Sequence, residues 1–251
     1  MWTVKWFGVE KARRDLAHAC GFIANSSALR RTLIQEVSLP SDRIRVFPNG
    51  ADLARFRPGN RSAARQRFGL PQEGFIVASV GNFLVTKGVA RVGEAINGLT
   101  GVSGVFAGSG PVPPRASNIA LCRRVPHSEM PDLLSACDVF VLPTVIEGSC
   151  NAIVEAMACG LPVISSIGEF NDDVLSADMS IRVDPLDVAA IRQAILKLRD
   201  DEALRIRMAD AALLHSRRFD INHRAQRVLA FMRELSDRNA PFPNNTCLDP
   251  S

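Results

Sequence analysis

The sequence predicts an α/β fold built on a mostly parallel sheet. Three observations carry this. Strand-like apolar runs alternate with segments of helical period along most of the chain. "DVFVLPT" is a run of consecutive apolar residues, as in a strand buried on both faces. Three polar segments, "GNFLVTKG", "RRVPHSE" and "TVIEGSCN", each follow a strand directly. That is where open α/β sheets place their ligands.

In order, "VEKARRDLAHA" predicts a helix and "CGFIANS" a buried strand. "SSALRRTLIQE" predicts a helix behind a Ser cap, and "RIRVFPNG" a strand closed by a Pro-Asn-Gly turn. "ADLARFRPGNRSAARQRFGLP" reads as a connecting stretch, with a domain boundary at Pro58. Beyond it, "FIVASVG", "VSGVFAG", "NIALCR", "DVFVLPT" and "LPVISS" predict strands. "KGVARVGEAIN", "SEMPDLLSAC" and "NAIVEAMAC" predict helices. Pro131 falls in a first turn, where proline is tolerated, and Gly160 closes the third of these helices. Val188, Ile191, Ile195 and Leu198 share one helical face, and Ala225, Val228, Met232 and Leu235 another. The expected organisation is residues 1–57, 58–208, closing helices over 209–235, and a disordered Pro/Asn-rich tail over 236–251.

The chain has 251 residues, 30 basic and 26 acidic, and a formal charge of +4. This mild excess suits anionic small ligands or an anionic membrane surface. No Lys/Arg run is interleaved with aromatics and Tyr is absent, which argues against nucleic acid. No apolar run approaches the roughly 18 residues of a membrane span, and "MWTVKWFGVEKARRD" has no apolar core of signal-peptide type. A cytoplasmic location is expected, and Asn244-Asn245-Thr246 would then go unglycosylated. The six Cys form no CxxC pair and the four His no HExxH spacing. The expectation is reduced thiols and no metal site.

"IEGSCNAIVEAMACGLPVIS" places Glu147 and Glu155 across a loop and the start of a helix. A helix start offers unpartnered N–H groups and a positive dipole end, suited to phosphate. The small Gly148, Ser149 and Cys150 allow a ligand close to the backbone. An ionised Glu147 accepts hydrogen bonds, which suits sugar hydroxyls. On spacing alone a solvated loop charge and a solvated helix charge fit the two glutamates better than a site does. Lys87 stands just before a helix, where a cation can neutralise a departing diphosphate. The alternative there is a surface lysine, slightly disfavoured by the helix dipole. "GSGP" at 108–111 is by itself a weak signal.

From Ala17 to Leu235 the sequence resembles the retaining glycosyltransferases of the "glycosyl transferases group 1" class, family 4, whose GT-B fold pairs two Rossmann domains. "EGSCNAIVEAMACGLPVIS" is similar to the family's Glu-x7-Glu signature. "FIANSSALRR", "RIRVFPNGADLARFRP", "VGNFLVTKG", "VPHSEMPDLLSACDVFVLPT" and "RRFDINHRAQRVLAFMREL" follow the family's order. The resemblance implies a C-terminal donor-binding Rossmann-like domain over 58–208 and part of an N-terminal, acceptor-side domain over 1–57. It implies sugar transfer from a nucleotide-diphosphate sugar with retention, no cofactor and no required metal. Glu147 would then meet the donor hexose and Glu155 the ribose. Gly148, Ser149, Cys150 and Asn151 would line the sugar and phosphates, Lys87 would stabilise the diphosphate, and Val125 would meet the base through its backbone.

Acceptors would be saccharides or lipid-linked saccharides in surface polysaccharide or glycolipid synthesis, with peripheral contact at the inner membrane face. Asn82 stands where many members carry arginine, so charge stabilisation leans on Lys87 and the helix terminus. "GSGPVPPRASNIALCRRV" is short where the family has a helix, and Arg123 stands where glycine is common. Residues 1–50 match only the last helix, strand, helix and strand of the N-terminal domain. An active enzyme would need the rest, from a longer reading frame or a separate polypeptide, because closure excludes water and aligns the acceptor. The alternative is a non-catalytic remnant that binds nucleotide sugar or another protein. A nucleotide-sugar epimerase of the same fold is disfavoured by the "EAMACG" helix.

Overall fold

Two helix–strand repeats open the part of the chain that the computed structural model describes, residues 8–237. They are α1 (Val9–Leu16), β1 (Phe22–Ala24), α2 (Ser27–Gln35) and β2 (Ile44–Val46). The Ser26 hydroxyl caps α2 by accepting from the Leu29 N–H at 3.1 Å. β1 and β2 pair in parallel, and Phe22, Ala24, Val37, Leu39 and Ile44 form a small core. β1 was expected to be buried throughout. Instead it alternates, with Ile23 turned outward between Phe22 and Ala24.

The last helix, α9 (Ile221–Asp237), belongs from Asn222 onward to this first unit, through Phe47 against Phe231 and Arg45 against Glu234. Its buried residue is Phe231, while Ala225 and Met232 of the expected apolar face are exposed. The face is rotated because a large ring, not a count of aliphatic positions, finds the core. Ser236 and Asp237 end α9. The rest of the expected tail, with Asn244 and Cys247, and the opening residues 1–7 lie outside the described residues.

The second unit spans Asn49–Ile221. Its elements are α3 (Arg61–Phe68), β3 (Phe75–Val80), α4 (Val89–Ile96), β4 (Val102–Ala107), β5 (Ile119–Arg123), α5 (Met130–Ser135), β6 (Val139–Leu142), α6 (Asn151–Ala158), β7 (Val163–Ser166), β8 (Ser180–Val183), α7 (Val188–Asp200) and α8 (Glu202–Ser216). The boundary expected at Pro58 falls instead at Pro48/Asn49. Ala51 exchanges backbone hydrogen bonds with Phe219 and Ile221, and Phe56 joins the large core. At the other end α8 runs unbroken across 208/209, with Ala212 fully buried.

All six strands of this sheet are parallel, in the order β5-β4-β3-β6-β7-β8. Ile76, Val77, Val139, Phe140, Val141, Val163 and Ile164 are wholly buried, so the central strands are apolar on both faces. Burying each such side chain contributes roughly 1.5–3 kcal/mol. The chain runs outward from β3 through β4 to β5 and then returns to lay β6 on the other side of β3. Strand order therefore reverses between β3 and β6, and the carboxyl ends of these strands are where open α/β sheets bind ligands.

Two elements were not expected. α3 lies in the stretch read as a connector, capped by Asn60 and ended by Gly69. β8 forms the sheet's edge beside β7. Between β4 and β5 there is no helix, as the short Pro-rich segment suggested. The loop lies flat on α4, and a Cβ at Gly93 would stand 2.9 Å from the Arg115 nitrogen.

Candidate active site at the strand-order switch

The loops that leave β3 and β6 are stitched together. The Val145 N–H donates to the Thr86 carbonyl at 2.8 Å, and the Thr144 hydroxyl lies 3.1 Å from the same oxygen. Arg91 donates to the Val85 carbonyl at 3.0 Å and the Pro143 carbonyl at 3.1 Å. Burial lowers the Arg91 pKa from its ordinary value, with Asp184 opposing.

Gly88 makes this approach feasible. Its φ is +75°, and a Cβ there would stand 2.4 Å from the Pro143 carbonyl oxygen. Gly88→Ala is therefore expected to cost more than the ~1–2 kcal/mol of a left-handed residue alone, because the β6 loop must also retreat. At roughly 2–4 °C per kcal/mol for a chain of this size, the melting temperature should fall by at least several degrees. An unchanged melting temperature would refute the clamp.

The clamp brings Lys87 and Glu147, sixty positions apart, into a direct ion pair. Both are largely buried, with side-chain exposures of 23% and 17%. Neither is the freely solvated charge that spacing alone allowed. Glu155, in the second turn of α6, is buried at 8% exposure, and its Oε1 lies 2.9 Å from His127 Nε2. His127 begins the turn that follows β5, so all three loops expected to carry ligand groups contribute to this end of the sheet.

The start of α6 is open. Its N-cap, Cys150, makes no side-chain capping hydrogen bond by geometry, and the acceptor that the Ala152 and Ile153 N–H groups face is its thiol, a weak one. Burial pushes the Cys150 thiol up to about 11, with the Glu147 charge acting the same way. At neutral pH it is an uncharged thiol and sets no negative charge against an anion at the helix start. Ser149 is buried. Its hydroxyl accepts from the Asn49 N–H at 3.1 Å and its carbonyl from Asn49 Nδ2 at 2.9 Å. Gly148 is half-buried and Asn151 is exposed as the first residue of α6.

Asn82 is exposed in the β3 loop, and its side chain makes no hydrogen bond among the described residues. Val125 is half-buried against the main core just past β5. Sequence reasoning missed Asn49 and His127. Asn49 read as part of a turn, and His127 sat in a segment already flagged by its position after β5. Among the described residues no group of three or more His, Cys, Asp or Glu side chains is placed to hold a metal ion, and no helix is long and apolar enough to cross a membrane.

A doubly wound parallel sheet whose two acidic groups and one lysine gather at the strand-order switch defines a Rossmann-like α/β ligand-binding domain. The chain belongs to the glycosyl transferases group 1 family, whose model matches residues 74–201, just over half of it. It is 30% identical over 238 residues to the D-inositol 3-phosphate glycosyltransferase of Mycolicibacterium smegmatis, covering 88% of this chain and 54% of that protein. It is 26% identical over 256 residues to the Stackebrandtia nassauensis protein of that name, covering 92% and 58%.

Among solved structures it is similar to sucrose-phosphate synthase from Thermosynechococcus elongatus, with TM-score 0.81 at 23% identity over 92% of this chain and 62% of that one. It is also similar to Anabaena HepE in complex with UDP and glucose, with TM-score 0.79 at 19% identity over 90% and 66%. These likenesses show the GT-B glycosyltransferase fold. The chain spans little more than half the length of the curated relatives it matches.

Proposed function

We propose that this chain is the donor-binding part of a retaining glycosyltransferase that acts on a nucleotide-diphosphate sugar. The observation that carries the reading is the convergence of Lys87 and Glu147 beside the uncapped start of α6, at the strand-order switch. In transfer the bond between the anomeric carbon and the diphosphate oxygen breaks, a bond from that carbon to an acceptor hydroxyl oxygen forms, the hydroxyl proton is lost, and negative charge grows on the departing diphosphate. Lys87, once released from Glu147, and the α6 N–H groups neutralise that charge. Glu147 accepts hydrogen bonds from the hexose and Glu155 from the ribose, while Val125 meets the base through its backbone. Gly148, Ser149, Cys150 and Asn151 line the path between. Asn82 brings a hydrogen bond and no charge. In the resting site Lys87 and Glu147 neutralise one another, so a donor takes both by exchanging one ion pair for two better-matched contacts.

The acceptor, a saccharide or lipid-linked saccharide, and the second wall of the cleft are supplied by an acceptor-side domain. We place the enzyme in the cytoplasm, in peripheral contact with the inner membrane face, making surface polysaccharide or glycolipid without a metal. The full-length reading is supported by the family and by neighbours solved with UDP and UDP-glucose. A second reading is a module that binds nucleotide sugar without transfer.

Calorimetric titration with UDP and GDP, paired with a donor-hydrolysis assay, tests both. One nucleoside diphosphate is expected to bind, with poor turnover by this chain alone. Binding of neither overturns the donor site, and robust transfer to an acceptor overturns the need for a second wall.

A further inference from the structure

The Glu155 carboxylate is held from one side only. Its Oε1 meets His127 Nε2 at 2.9 Å, and among the described residues no other side chain hydrogen-bonds it. The two partners differ in setting. The carboxylate side chain is 10% exposed and the imidazole 61%. His127 is therefore the solvent-facing member of the pair. The ring lies 5.3 Å from the ring of Phe56, which is buried, and the His127 carbonyl accepts from the Arg55 guanidinium at 3.5 Å. Both supports come from residues 55–56, a different stretch of the unit from either β5 or α6.

We infer that His127 is a positioning residue for the ribose-binding carboxylate. This rests on the donor-site reading of Glu155. An ionised carboxylate only accepts, so Nε2 carries the proton in this contact. The donated bond occupies one lone pair of Oε1 and fixes the carboxylate plane. Oε2 and the remaining lone pairs are left for the two adjacent hydroxyls of a ribose. Without it, three side-chain torsions of Glu155 have to be ordered by the ligand itself, at a cost in affinity. A 2′-deoxyribose, which presents one hydroxyl instead of two, profits less from a fixed plane.

The test is a set of titrations with UDP, GDP and their 2′-deoxy counterparts on the wild type, His127→Gln and His127→Ala. Gln retains a donor nitrogen at the reach of Nε2. His127→Ala is expected to weaken the ribonucleotide by about five- to tenfold, the usual net worth of one hydrogen bond. The deoxynucleotide should change by less than about twofold, and His127→Gln should recover most of the loss. Equal weakening of both nucleotides in His127→Ala, or no weakening, overturns the positioning role. So does His127→Gln behaving as His127→Ala while both variants melt with the wild type. If the wild type binds no nucleotide at all, the donor site itself falls and this role with it.

Discussion

Glu147→Gln is expected to cut sugar transfer by about 10²–10³-fold, while nucleoside-diphosphate affinity holds or rises by a small factor. Transfer is measured with the acceptor-side half supplied, and binding by calorimetry. The direction of the binding change follows from the resting ion pair. Lys87 and Glu147 are paired and mostly withdrawn from water, so a diphosphate must compete with Glu147 for the lysine. Glutamine keeps the shape and removes the charge, which frees Lys87 for the phosphates. The hexose loses a charged acceptor that transition-state binding uses. An equal loss of transfer and affinity would place Glu147 at the nucleotide rather than the sugar.

Asp138→Ala is expected to destabilise the protein by about 3–5 kcal/mol, the usual cost of breaking a buried pair from one side. Asp138 and Arg65 are each 2% exposed. Asp138 Oδ2 accepts from Arg65 Nη2 at 2.8 Å and from the Ile76 N–H at 2.7 Å, and Oδ1 pairs with Arg61. Arg65 also donates to the carbonyls of Ala136 at 3.0 Å and Gln72 at 2.7 Å. Burial lowers its pKa, with Asp138 as the main opposing influence. Removing the carboxylate leaves a buried guanidinium with carbonyls alone and orphans the Ile76 N–H.

The network joins the start of β3 to the start of β6, the two strands whose far ends carry Lys87 and Glu147. Denaturant unfolding should show the loss as a lower midpoint at unchanged slope. The double variant Arg65→Met, Asp138→Leu should recover much of it, because no unpaired charge then stays buried. A loss under about 1 kcal/mol in the single variant would mean that the pair holds nothing together.

α3 shows why part of the fold was illegible. Helix prediction from periodicity looks for an apolar stripe, and the buried residues of α3 are Ala64 and Arg65. An arginine at the centre of a core face reads as solvent-facing until its partner Asp138, 73 positions away, is known. β8 was missed because "SIRV" is a short edge strand with half-exposed middle residues. α9 was placed correctly, but its buried face was not. Four aliphatic positions at helical spacing outvoted Phe231, whose ring meets Phe47. The placement of the candidate site's loops was more legible. Each of the three loops was recognisable as a polar segment directly after a strand, because a parallel sheet puts ligands nowhere else.

By itself the sequence determined the α/β class, the strands buried on both faces, the helix start after "EGSC" and the glutamate pair that marks the family. These are local properties, written in runs, spacings and caps. Only the tertiary structure decided that Glu147 rests against Lys87, that Glu155 is buried and held by His127, and that Asn49 fixes Ser149. Those pairings depend on which strands are neighbours, on a glycine that lets two loops touch at Gly88 and Pro143, and on a buried arginine that ties β3 to β6. Contacts between residues tens of positions apart follow from strand order, and no local pattern encodes strand order.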